Sequence, residues 1–107
     1  MDTRRNSKIE ELRSLLEKLN EGEIHLKEVY LFGSYLNKDD FNDIDVALVS
    51  DDFSGIRFLD MKLIIEKLKR FSSIYDMHPF KTEEFYDESN FFAREIIKTG
   101  RKFDWLS

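Results

Sequence analysis

The stretch Val29-Tyr30-Leu31-Phe32-Gly33-Ser34, resuming at Asn42-Asp43-Ile44-Asp45-Val46-Ala47-Leu48-Val49, decides the fold. Its first half is rich in Val, Leu, Tyr and Phe and is too short for a second helix after Gly22, which predicts a strand over about 27–32. Gly33-Ser34 ends that strand, and residues 34–39 suit a brief helix. The second strand runs from Asp43 to Val49 and stops at the turn cluster Ser50-Asp51-Asp52. Strand side chains alternate, so Ile44, Val46 and Leu48 take one face and can be buried, while Asp43 and Asp45 both point to the other. Two ionised carboxylates roughly 6–7 Å apart along one strand repel each other, and stability alone does not explain their placement. A divalent cation removes the repulsion, and Mg²⁺ prefers hard oxygen ligands of this kind.

Outward from this stretch, helices alternate with strands. Ile9, Leu12, Leu15, Leu16 and Leu19 recur at three- and four-residue steps, which predicts an amphipathic helix over 7–20 with Ser7 and Glu10 as a capping box. A second helix is predicted over 56–70, its buried stripe formed by Leu59, Leu63, Ile64, Leu68 and Phe71. A short third strand, Ile74 to His78, is closed by Pro79. Thr82-Glu83-Glu84 reads as a helical first turn, and Ser89 to Lys98 as a helix with Phe92, Ile96 and Ile97 inward, ended by Gly100. Phe103, Trp105 and Leu106 form an alternating tail, either an edge strand or a docked segment. The expected class is α/β (α+β), a small sheet with flanking helices.

The chain has 107 residues, which predicts one domain, 1–107. A hydrophobic fraction of 41% and an aromatic fraction of 14% argue against disorder. Zero Cys excludes a disulfide framework and thiolate metal sites and fits a cytoplasmic location. No apolar run approaches the ~18 residues that span a bilayer, so no membrane partner is expected. The net charge of −5 argues against binding extended nucleic acid. That charge is local: six acids and no base lie between Asp39 and Asp52, on an otherwise near-neutral chain.

Asp76 is a third candidate ligand, because a lone charge flanked by apolar strand residues is costly. If its strand pairs beside the second, it joins Asp43 and Asp45. Three carboxylates could hold two Mg²⁺ about 3.5–4 Å apart, the spacing of two-metal phosphoryl-transfer sites. Gly33-Ser34 supplies backbone N–H groups and a hydroxyl for a phosphate.

The run Leu31-Phe32-Gly33-Ser34…Asn42-Asp43-Ile44-Asp45-Val46, with Asp76 on a later strand, resembles the minimal nucleotidyltransferases of the DNA polymerase beta-like superfamily. The resemblance covers the chain from the first helix to about Gly100. It implies a mixed sheet of the polymerase beta palm type, with Mg²⁺ held by the catalytic acids Asp43, Asp45 and Asp76. It also implies triphosphate contacts at Gly33 and Ser34, and transfer of a nucleoside monophosphate, AMP from ATP, to a hydroxyl. Minimal nucleotidyltransferases are commonly paired with a small helical protein of the HEPN type. By resemblance the chain is the antitoxin of such a toxin–antitoxin pair and adenylylates its partner on a tyrosine. Family members often carry a basic, Gly-containing stretch after Gly-Ser. Here it is Tyr35-Leu36-Asn37-Lys38-Asp39-Asp40, and only eight residues separate Ser34 from Asp43. That departure motivates the alternative of a non-catalytic module that binds and neutralises a helical partner.

Other residues have plainer readings. Asp39, Asp40, Asp51 and Asp52 read as loop acids and His25 as a surface residue. His78 shares a face with Asp76 and could orient it or touch nucleotide, although a structural role before Pro79 is the preferred reading. Tyr35 suits either base stacking or packing beside the loop. Phe80, Phe85, Tyr86, Phe91, Phe92, Phe103 and Trp105 read mainly as core, some of them as an exposed docking patch for a partner protein.

Overall fold

A computed structural model describes residues 3–36 and 42–105. The loop acids Asp39 and Asp40, the second half of the expected brief helix and Leu106 lie outside the described residues. The order is α1 (Thr3–Asn20), β1 (Glu28–Phe32), a 3₁₀ turn (Gly33–Leu36), β2 (Ile44–Ser50), α2 (Arg57–Leu68), β3 (Tyr75–Lys81), α3 (Thr82–Phe85), α4 (Phe91–Thr99) and β4 (Arg101–Lys102). The four strands lie in the order β3-β2-β1-β4. β2 runs antiparallel to β1 and parallel to β3, so the sheet is mixed. The crossover from β2 to β3 is made by α2, as a parallel pair requires.

Each face of the sheet has its own apolar layer. Ile44, Val46 and Leu48 of β2 take one face, with Val29, Leu31, Tyr75 and Met77, and pack on Leu12, Leu16 and Leu19 of α1 and on Ile64 and Leu68 of α2. Ala47 and Val49 take the other face and meet Phe85 of α3 and Ala93 and Ile96 of α4, with Tyr30, Phe32 and Phe80 alongside. Phe85 is fully buried there, a contribution of about 1.5–3 kcal/mol from its apolar surface. The expected alternation in β2 therefore holds, and the face carrying Asp45 is the α3/α4 face.

Several boundaries differ from those expected. α1 begins at Thr3, which puts the Ser7–Glu10 pair inside the helix. Its first turns are held from outside: Arg5 Nη1 donates to the Tyr35 carbonyl at 2.8 Å, and its guanidinium lies 4.4 Å from the centre of the Tyr35 ring. β3 continues through Pro79 to Lys81. Pro79 is tolerated because β3 is an edge strand, where a missing N–H leaves no neighbouring carbonyl unpaired. The tail is the docked alternative: Trp105 enters the larger core with Phe103 packed against it, and the short strand that pairs with β1, Arg101–Lys102, precedes them.

The stripe expected on α2 holds at Ile64 and Leu68, with Phe71 partly buried against the same core, but not at Leu59 and Leu63, which are 45% and 37% exposed; Asp60 is buried in their place. Apolar residues occupy nearly every side of this helix, so periodicity could not choose the inward one. A polar network chose it. Asp60 Oδ1 accepts from Ser54 N at 2.8 Å and Ser54 Oγ at 2.9 Å, and Oδ2 accepts from Gly55 N at 3.0 Å. Asp60 is 1% exposed, so these bonds replace its hydration. Asp60→Ala is expected to cost about 1–3 kcal/mol in urea unfolding, because the Ser54 and Gly55 amides and the Ser54 hydroxyl lose their charged acceptor. On α4 the inward residues are Ala93 and Ile96, while Phe92 and Ile97 stay substantially exposed. Asn90 caps this helix, its side chain accepting from Ala93 N at 3.1 Å.

Candidate active site

β2 and β3 together position the acids. In their parallel register Asp45 lies directly opposite Asp76, and Ala47 opposite His78. Asp76 and His78 are two residues apart on one strand, so both reach the same face as Asp45. Phe32, the last residue of β1, flanks Asp45 on the other side. The cluster therefore sits where β1 ends and β2 and β3 begin, at the margin of the smaller apolar layer.

Asp45, Asp76 and His78 each offer a ligand atom within 4.8 Å of the others. His78 Nε2 is 3.3 Å from Asp45 Oδ1 and 3.3 Å from Asp76 Oδ2. Burial pushes the Asp45 carboxyl above the ordinary carboxylate range; the His78 hydrogen bond and charge pull it down, and Asp76 pushes it up again. Burial and a like charge thus both disfavour the ionised form, which is the environment a cation relieves. Two carboxylates and an imidazole at this spacing fit a divalent metal by donor chemistry.

Gly33 closes the cluster from the β1 side. Its φ is +83°, a left-handed conformation that glycine adopts without strain. A Cβ at this position would run into Asp45 Oδ2. The bare glycine is what lets the turn lie on the carboxylate. Ser34 follows it on the exposed surface of the same turn.

Of the residues expected at the site, Asp45, Asp76 and Gly33 therefore meet. Asp43 is exposed and lies just before β2, which begins at Ile44, and it is not part of the metal-capable group found among the described residues. Tyr35 is 6% exposed, under Arg5, so it packs in the core and does not face a base. His78 does more than fill space. Its ring packs 5.1 Å from Phe32 and 5.8 Å from Phe92, centre to centre, while Nε2 touches both acids. Its two-residue spacing from Asp76 was the signal for this in the sequence. The remaining acids behave as turn and surface groups: Asp52 accepts from the exposed His25 backbone N at 2.9 Å, and Asp51 lies 3.8 Å from Lys27.

The family model for the nucleotidyltransferase domain matches residues 9–104, from early in α1 to just beyond β4. No curated protein and no solved structure matches the chain at a significant level. Domains of this family usually use divalent metals, and no helix among the described residues is long and apolar enough to cross a membrane. A mixed sheet that brings two acids face to face behind a Gly-Ser turn is thus found in a chain matched over most of its length by one model, and the chain belongs to the nucleotidyltransferase domain family, whose general activity is nucleotidyl transfer.

Proposed function

We propose that the chain works as a single minimal nucleotidyltransferase domain. It transfers AMP from ATP to a hydroxyl of a protein partner, with Mg²⁺ as cofactor. The observation that carries this reading is the pairing of Asp45 and Asp76 across β2 and β3, beside the side-chain-free turn at Gly33. Asp45 and Asp76 would hold the divalent ion, with Asp43, the other acid of the motif, as a further carboxylate for it. The ion supplies charge neutralisation of the triphosphate and polarisation of its α-phosphorus. Gly33 leaves the approach to the phosphates open, and the Ser34 hydroxyl donates to a phosphate oxygen. Asp76, with half of its side chain exposed, takes the proton of the acceptor hydroxyl. The acceptor oxygen then bonds to the α-phosphorus as the bond to pyrophosphate breaks. Positioning and charge stabilisation account for most of such catalysis, and a small domain can provide both.

The acceptor is read as a small helical HEPN-type protein, which makes the chain the antitoxin of a toxin–antitoxin pair. The resemblance motivates this reading, and exposed aromatic side chains on either side of the sheet suit it: Phe58 of α2 is 75% and Phe91 of α4 82% exposed. The test is capture of the partner from the native host by tagged chain, followed by intact-mass analysis after incubation with ATP and Mg²⁺. A mass increase of one adenylyl group on a partner tyrosine is expected. A partner that stays unmodified, whatever nucleotide is offered, overturns the enzymatic reading. The same exposed side chains also serve the alternative, a non-catalytic module that neutralises its partner by contact alone. Calorimetry separates the two: saturable heat with Mg²⁺ and ATP that disappears in Asp45→Asn excludes the alternative.

A further inference from the structure

We propose that His78 is a direct metal ligand, and that Asp45, Asp76 and His78 form a three-ligand site that binds Zn²⁺ far more tightly than Mg²⁺. The inference rests on the reading of Asp45 and Asp76 as metal ligands and adds the identity of the third donor. His78 Nε2 stands 3.3 Å from one oxygen of each acid. Nε2 forms a long hydrogen bond with Asp45 at 3.3 Å, and a single imidazole N–H can serve only one of the two acids at a time. The same separations suit ligands of one cation: around a tetrahedral ion with bonds of about 2.0–2.1 Å, ligand atoms lie about 3.3–3.4 Å apart.

The ring is also held in place. Phe32 and Phe92 pack against it at 5.1 and 5.8 Å between ring centres, and the side chain is only 14% exposed, so Nε2 is aimed by packing. Asp43, the other acid of the motif, is exposed and outside this group, so the third donor at hand is a nitrogen. Imidazole is a good ligand for zinc and a poor one for Mg²⁺, which takes oxygen and keeps its waters. Three protein ligands would leave one position of a tetrahedral ion open.

The experiment is nitrogen NMR of the ¹⁵N-labelled full chain titrated with Zn²⁺, alongside affinities for Zn²⁺ and Mg²⁺ by competition with a chelator. Zinc is expected to shift the His78 ring nitrogens and to leave those of His25 as they were. His78→Gln is expected to lower zinc affinity by about tenfold or more while changing Mg²⁺ affinity little. Ring nitrogens of His78 that do not respond at saturating zinc overturn the proposal, and this arm needs no variant to fold. Zinc affinity unchanged in a folded His78→Gln overturns it as well. Asp45→Asn separates the two levels of the reading. Loss of Mg²⁺-nucleotide binding in that variant, with an indifferent His78, defeats only the zinc site. Absence of any Asp45-dependent metal binding in the parent chain defeats the metal reading of Asp45 and Asp76 too.

Discussion

Asp45→Asn is expected to lower nucleotidyl transfer by about 10²–10³-fold or more while the protein stays folded. Asp45 is the acid that everything else at the site touches. Asp76 faces it across the ladder, His78 approaches its Oδ1, and Gly33 lies on its Oδ2. Asn keeps the shape and one acceptor oxygen but loses the charge that holds a divalent ion. The stability change is expected within about 1 kcal/mol in metal-free buffer, because burial and Asp76 both oppose the native charge. In excess Mg²⁺ the parent chain is expected to melt higher than without it, and the variant is not, since only a bound ion stabilises the fold by mass action. Transfer rates and thermal melts with and without chelator check both statements. Asp45→Asn with undiminished transfer sinks the site assignment.

Gly33→Ala is expected to damage stability and activity together. The backbone there has a φ of +83°, which costs a residue with a Cβ about 1–2 kcal/mol. The added methyl also meets the Asp45 carboxylate, where overpacking adds about 1–3 kcal/mol. A total of about 2–5 kcal/mol is expected, seen as a melting point lower by roughly 4 °C or more for each kcal/mol. The carboxylate must also move to make room, so metal affinity falls with stability. Gly22→Ala is the control. A Cβ at Gly22 meets only the end of the flexible Lys67 side chain, which can swing away. Equal losses in the two variants show that Gly33 has no special relation to Asp45. Chemical denaturation and metal titration of both variants decide the point.

Much of the fold was legible in the sequence because the relevant patterns are local. Ile44, Val46 and Leu48 alternate with Asp45 and Ala47, and that two-residue period alone puts Asp45 on the sheet face opposite the larger core. The leucines of α1 repeat at helical spacing and are buried as expected. Where the local pattern was ambiguous, the reading failed. α2 carries apolar residues around most of its circumference, and a buried carboxylate, Asp60, set its rotation. Pro79 reads as a strand end unless the strand is known to lie at the edge of a sheet. Phe92 reads as core, but α4 buries Ala93 and Ile96, and the half-exposed Phe92 ring packs beside Phe32 and His78.

The same division holds for the site. By itself the sequence determined that Gly33 and Ser34 follow a strand, that Asp45 leaves the apolar face of the next, and that Asp76 and His78 share a face on a third. Each of these follows from a two-residue period or a turn propensity, and neither needs a distant partner. Which of those groups meet was decided only by the tertiary structure. The parallel register of β2 and β3 sets Asp45 against Asp76, the packing of Phe32 and Phe92 aims His78 between them, and the start of the ladder at Ile44 leaves Asp43 exposed outside the cluster. Register is a property of two strands at once, fixed by the apolar layers on both faces of the sheet, and no single stretch of chain contains it.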